Sequence, residues 1–213
     1  MLFRSPDLLL LDEPLSNLDP TLRDEMQALI RSLQRETGIT TLIVTHDQAE
    51  AVVLADRIAL ILGGRLAQEA SPADIFARPA STAVAQFFGG VNFLPGRVTG
   101  GAFDCAFGRL PLPPGQSAGF AEGPSTLTIR PEALLIGPEG QAGALPATVT
   151  SVTFLGTQIR IGLVLNGTGN GTAQRLEALV APDAARGLAI GQSLGVTLPP
   201  QAQWLIPGVL PPG

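Results

Sequence analysis

The stretch Leu8-Leu9-Leu10-Leu11-Asp12-Glu13 decides how this chain folds. Four apolar residues in a row are the pattern of a strand covered on both faces, as in a parallel sheet. Two acids at its C-terminal end put carboxylates at the edge of the sheet, where α/β proteins bind ligands. An Asp at such a place can hold Mg2+ through water. A second carboxylate one residue on can orient or deprotonate an attacking water. Taken alone, the same pattern also describes a core strand with a solvated end.

The residues that follow narrow the choice. Pro14-Leu15-Ser16-Asn17-Leu18-Asp19 comes next, and Asp19-Pro20 reads as an N-cap with proline at the first helical position. Leu22, Met26, Leu29, Ile30 and Leu33 recur at helical spacing and predict an apolar stripe, which Gly38 ends. Residues 40–45 are rich in β-branched types and predict a second strand. His46, the chain's one histidine, falls just past it. A parallel neighbour would place His46 near Glu13. A neutral imidazole there can donate a hydrogen bond to a terminal phosphate. Residues 47–54 predict a short helix. Gly63-Gly64 between residues 58–62 and 65–68 predicts a two-residue hairpin turn. Ser71-Pro72-Ala73-Asp74 caps a further helix, and residues 82–88 form a last one before Gly89-Gly90.

The punctuation changes at that glycine pair. Residues 1–88 hold 3 Gly and 5 Pro, whereas residues 89–213 hold 22 and 14. The first part alternates strand and helix signals and predicts a parallel sheet with packed helices. The second reads as short strands between turns and predicts a small barrel or sandwich. Strands are expected near 93–98, 126–130, 147–154, 158–165 and 175–180. Asn166-Gly167-Thr168-Gly169-Asn170-Gly171 looks superficially like a phosphate loop. It opens no helix, so a hairpin turn is the better reading.

Composition removes several classes of function. The net charge is −5, and the acidic excess lies in residues 1–88, where 12 Asp/Glu face 7 Arg. Neither part offers a basic stripe, so nucleic acid is not an expected partner. No apolar run reaches the 18 or so residues of a membrane span, and the N-terminus is not patterned as a signal peptide. One cysteine, Cys105, forms no internal disulfide and reads as a small core residue in a reducing compartment. Trp204 likewise reads as core. The sequence contains no lysine.

The stretch "LLLLDEPLSNLDP", followed by "TLIVTHDQAEA", resembles the Walker B motif, D-loop and H-loop of ABC transporter ATPases. The resemblance implies that Asp12 is the Mg2+ carboxylate and Glu13 the catalytic carboxylate acting on water. Ser16, Asn17, Leu18 and Asp19 would form the D-loop that crosses to the partner subunit of an ATP-bound dimer. His46 would be the switch histidine on the γ-phosphate. Further on, "VNFLPGRV", "TIRPEAL" and "VTSVTFLGTQIRI" resemble the C-terminal domain of bacterial importer ATPases for polyamines, ferric iron, sulfate and maltose. That domain is an OB-like β module, the TOBE domain. The implied fold is thus the C-terminal part of an ABC-type P-loop NTPase domain with a parallel sheet over 1–88, then a TOBE domain over 89–213. Arg130, Pro131 and Glu132 match the family's Arg-Pro-Glu motif and are expected to be structural.

The implied cofactors are ATP and Mg2+. The implied partners are a second copy of the subunit, transmembrane permease subunits and, indirectly, an extracytoplasmic solute-binding protein. The implied location is the cytoplasmic face of the plasma membrane. A P-loop needs a lysine, so this sequence cannot contain one. The family's signature motif and glutamine loop are absent too. All three belong upstream of Walker B in the family, in about 150 residues, one ordinary domain's worth. The expectation is therefore half of a hydrolytic site, no ATPase activity from these residues alone, and uncovered apolar surface along residues 8–11. The alternative is a non-enzymatic short protein or pseudogene product whose β domain binds a solute or partner subunit. A soluble ABC ATPase of DNA repair or translation would not explain the β domain.

Overall fold

The computed structural model of the chain describes residues 7–112, 122–166 and 173–208. The expected turn at residues 166–171 therefore lies outside the described residues beyond Asn166. Two compact units divide between Ala77 and Arg78.

The first unit begins with β1 (Leu8–Asp12), which pairs in parallel with β2 (Thr40–Val44) from Leu8↔Thr40 to Asp12↔Val44. Between them runs α1 (Pro20–Thr37). The Asp19 carboxylate accepts hydrogen bonds from the amides of Thr21 and Leu22, and Gly38 closes the helix at φ +65°. Asp47 caps α2 (Gln48–Leu54) in the same way. β3 (Ile58–Leu62) and β4 (Arg65–Ala70) form the expected antiparallel hairpin. Its turn puts Gly63 and Gly64 at φ +55° and +75°, where a Cβ is strained at both positions. Ser71 opens α3 (Pro72–Ala77), its hydroxyl accepting from the Asp74 amide.

Burial in this unit departs from two expectations. Strand β1 is covered on one face only: Leu8 and Leu10 stand 48% and 63% exposed, and Leu42 and Val44 of β2 are similarly open. Open apolar surface at residues 8–11 was the other expectation, and it is what the structure shows. The stripe on α1 also fails to turn inward. Of its five residues only Ile30 is buried, while Leu22, Met26, Leu29 and Leu33 are exposed. The helix packs through the side that carries Arg23, Gln27, Ile30 and Gln34. The reason is geometric. A two-stranded sheet covers a single helical flank, and the small core of Leu15, Ile30 and Leu54, backed by Leu11, Leu18 and Ile43, sits there.

The second unit starts with α4 (Thr82–Phe87), ahead of the shift in composition at Gly89-Gly90. Physical ties explain why this helix goes with the strands. Ala85 clusters with Phe93 and Ile206, the Arg130 guanidinium donates to the Phe88 carbonyl oxygen, and the Trp204 indole donates to that of Pro79.

Two five-stranded sheets follow, with every pairing antiparallel. One contains β5 (Asn92–Thr99), β6 (Ala102–Cys105), β7 (Gly108–Pro111), β8 (Gly123–Ile129) and, from the end of the chain, β14 (Gln203–Pro207). The other contains β9 (Leu135–Gly137), β10 (Leu145–Phe154), β11 (Ile159–Asn166), β12 (Ala173–Val180) and β13 (Ser193–Thr197). The five long strands β5, β8, β10, β11 and β12 were legible in sequence. Strands β6, β7, β9, β13 and β14 were not, because they are short and several contain glycine or proline. Leu94, Phe103 and Leu127 of the first sheet share one core with Val149, Ile161, Leu163 and Val196 of the second.

A buried amide joins the sheets. Asn92 is fully buried; its Nδ2 donates to the Glu177 carbonyl oxygen at 2.8 Å and its Oδ1 accepts from the Glu177 amide at 2.7 Å. Strand β12 is an edge strand, and Asn92 supplies the backbone-like partner its open side lacks. Replacing Asn92 by Ala orphans both groups and is expected to cost about 2–4 kcal/mol in urea unfolding of this unit. Adjacent residues on α1 offer a second check. Ile30→Ala should destabilise by about 2–5 kcal/mol. Leu29→Ser should change stability by no more than about 0.5 kcal/mol.

Candidate functional site

The site forms where β1 and β2 end side by side. The Glu13 amide donates to the Val44 carbonyl oxygen at 2.8 Å, extending the parallel ladder one step beyond Asp12. The chain then leaves the sheet abruptly. Glu13 adopts φ +44°, the only positive φ at a non-glycine position among the described residues. Such a conformation costs an L-residue about 1–2 kcal/mol and persists where surrounding contacts fix it.

Those contacts come from the next residues. The amide and hydroxyl of Ser16 both donate to the Glu13 carbonyl oxygen, at 3.3 and 3.1 Å. The Leu15 side chain is fully buried, and the Leu18 amide donates to the Leu15 carbonyl oxygen. Asp19 caps α1. Residues 14–19 are thus pinned at both ends and through one core side chain. Asn17 is exposed.

His46 arrives from the other strand. Its Nδ1 lies 3.0 Å from Glu13 Oε1, across a sequence separation of 33. A carboxylate only accepts, so the contact assigns the ring proton to Nδ1 and leaves Nε2 toward other partners. The imidazole is 73% exposed and the Glu13 side chain 48%. The hydrogen bond from the ring to Glu13, and then the charge of that carboxylate, raise the His46 pKa above the ordinary 6.5. Slight desolvation opposes the rise, and the charges of Asp47 and Glu50 add to it.

The backbone beside His46 is held by groups that sequence reading did not assign to the site. The Thr45 hydroxyl donates to Glu50 Oε2 at 2.7 Å and accepts from the Asp47 amide at 3.0 Å. Glu50 is buried, at 1% exposure. Asp47 caps α2 with Oδ1 and receives Arg23 on Oδ2. A signal for these was present: Asp47 and Glu50 stand at the N-cap and third positions of a helix, a capping pattern.

Asp12 is exposed at the mouth of the strand. Among the described residues no group of three or more His, Cys, Asp or Glu side chains is arranged to hold a metal ion. Oxygen donors of the Asp12 type suit a hard cation that keeps its other ligands from water and phosphate.

The remaining singled-out residues lie elsewhere. Pro131 is buried at the start of a short 3-10 turn, and desolvation lowers the Arg130 pKa. The Cys105 thiol is half-buried, raised by desolvation, and donates to the Gly108 carbonyl oxygen.

Residues 127–206 match the TOBE domain family. The chain is 40% identical over 199 residues to the spermidine/putrescine import ATP-binding protein PotA of Ruegeria pomeroyi, covering 91% of this chain and 53% of that protein. It is 44% identical to the sulfate/thiosulfate import ATP-binding protein CysA 2 of Chromobacterium violaceum, over 75% of this chain and 43% of that one. It is 39% identical to the Fe(3+) ions import ATP-binding protein FbpC of Streptomyces coelicolor, over 90% and 51% respectively. The chain spans about half the length of the curated relatives it matches.

The His46 shift has a measurable sign. Its folded value lies above the unfolded one, so the pair stabilises the fold below about pH 6.5 and loses that effect as pH rises through the folded value. Proton NMR on the chain's one imidazole should show a midpoint above 6.5, and Glu13→Gln should lower it.

Proposed function

From the premise that this chain belongs, over the region it spans, with the ATP-binding subunits of ABC importers, we propose that it supplies the hydrolytic half of an ATP site that couples energy to solute import. The contact between Glu13 and His46 at the ends of two parallel strands carries this reading.

Each residue then has a role its position supports. Asp12 is an exposed carboxylate at the strand end, suited to hold Mg2+ through water beside the phosphates. Glu13 leaves one oxygen to His46 and has a second with which to accept a proton from water. His46 donates from Nδ1 to Glu13, so it donates from Nε2 to the terminal phosphate as the imidazolium, the form that its raised pKa favours. Ser16, Asn17, Leu18 and Asp19 form the loop that faces a second copy of the subunit. Bound Mg2+-ATP supplies the electrophilic phosphoryl group and the charge that the metal neutralises.

Residues 1–88 act in this reading as the C-terminal part of the ATPase domain and residues 89–213 as the TOBE domain. The working unit is a homodimer on transmembrane permease subunits, served by an extracytoplasmic binding protein, at the cytoplasmic face of the membrane. Peripheral attachment is consistent with the described helices, none of which is long and apolar enough to cross a membrane. Relatives of comparable identity are named for three unlike solutes, which supports a shared energy-coupling role rather than solute recognition in this region.

The grip on nucleotide comes from outside these residues. A chain without lysine has no P-loop to reach the β- and γ-phosphates. The purified chain should therefore hydrolyse no ATP and bind Mg2+-ATP more weakly than about 1 mM, near −4 kcal/mol. Joined to the upstream half of the Ruegeria pomeroyi relative, it should hydrolyse ATP. Glu13→Gln in that chimera should lower the rate by about 10²–10⁴-fold. An active Glu13→Gln chimera, or tight Mg2+-dependent binding by the chain alone, would overturn the assignment. Failure of every chimera to bind nucleotide would favour the non-enzymatic alternative, in which the β unit binds a solute or partner.

A further inference from the structure

Arg23 lies in the first turn of α1, its amide on the Asp19 carbonyl oxygen at 2.9 Å. Its side chain reaches two acceptors that belong to different parts of the site. Nη1 donates to Asp47 Oδ2 at 3.3 Å, and Nη2 donates to the Leu18 carbonyl oxygen at 3.4 Å. A guanidinium presents its donors in a fixed planar fork, so it can hold two acceptors in one relative placement where a lysine ammonium cannot.

The contacts close into a ring. Glu13 is tied to the loop through Ser16, and the loop runs on to Leu18. Leu18 is tied to Arg23, Arg23 to Asp47, and the residue before Asp47 is His46, which returns to Glu13. The far side of His46 is equally fixed, because Thr45 bonds both the buried Glu50 and the Asp47 amide. His46 itself is largely exposed and is held by its hydrogen bond to Glu13. Its placement therefore depends on the residues on either side, and through Asp47 on Arg23.

We propose that Arg23 is a positioning residue that couples the loop of residues 15–19 to His46 by bridging the Leu18 carbonyl oxygen and the Asp47 carboxylate. A shift of the loop then moves Asp47 and turns the imidazole relative to Glu13. The proposal deepens the proposed function and rests on it for its meaning: contact of a second copy with this loop would be felt at the histidine before hydrolysis. The coupling itself belongs to the nucleotide-free chain, so it is testable whether or not ATP binds.

The one histidine makes the test direct. The charged groups around it are Glu13 at the end of β1, Asp47 and Glu50 of the α2 cap and first turn, and Arg23 of α1. Removing a nearby positive charge raises an imidazole midpoint by field alone. Removing a positioning group instead loosens the ring from Glu13 and lowers the midpoint toward 6.5. The two effects have opposite signs. In full-length chain, NMR titration of Arg23→Gln should show the midpoint falling. Arg23→Lys keeps the charge but not the fork, and should also lower it. In a Glu13→Gln background neither substitution should lower it further: Arg23→Gln should show only the rise from the lost charge, and Arg23→Lys no change.

A rise, or no change, in Arg23→Gln alongside no change in Arg23→Lys would overturn the proposal and leave Arg23 as a stabilising surface contact. Thermal unfolding of each variant separates the readings again. Loss of a merely structural arginine lowers Tm without lowering the folded-state midpoint. Should Arg23→Gln not fold, Arg23→Lys reads the same quantity and decides the question alone.

Discussion

The ladder from Leu8↔Thr40 to Asp12↔Val44, closed by the Glu13 amide on the Val44 carbonyl oxygen, is the constraint on which the candidate site rests. Parallel strands must be joined by a crossover, here α1, so residues far apart in sequence end level with one another. Register then does the rest. A slip of one residue would exchange the two faces of β1 and carry Glu13 off His46. Because Asp12 and Val44 are opposite, the next residue on one strand and the second residue beyond the other come within hydrogen-bonding distance.

The left-handed turn at Glu13 is a consequence of the same arrangement. A strand that simply ran on would turn this side chain to the face of the sheet opposite that of Asp12. The bend aims it toward β2's end, and Ser16, Leu15 and the Asp19 cap hold the bend in place. The site thus rests on ordinary local devices: a cap at each helix, one buried leucine, and a two-point arginine. Its chemistry is concentrated in a few exposed polar groups at the rim, with the packed core behind them.

The two units differ in how complete they are by themselves. The β unit has a continuous core shared by two sheets, and it closes an edge with the Asn92 amide. In the first unit α1 packs on a small cluster of Leu15, Ile30 and Leu54, with two open apolar faces beside it, one on β1 and β2 and one on α1. Apolar area of this kind is worth about 25 cal/mol per Å2 when covered, and contiguous patches on a protein surface usually have a partner.

Sequence by itself determined the elements and the reactive groups. The caps at Asp19 and Ser71 and the glycine turn at 63–64 are local, because their hydrogen bonds join residues a few positions apart, and each longer strand carries enough apolar pattern to be read by itself. Asp12, Glu13 and His46 were legible as residue types at strand ends. Five short strands were not, since strands of three to five residues broken by glycine or proline carry too little pattern. Tertiary structure alone decided three further matters. It set the 3.0 Å contact between Glu13 and His46, which depends on sheet register. It chose the face of α1 that turns inward: a period of 3.6 marks an apolar stripe but does not name what will cover it. It also brought Arg23 onto Asp47, and Asn92 onto Glu177. Such pairs satisfy polar groups across long sequence separations, and the distances that make them exist only once the chain is folded.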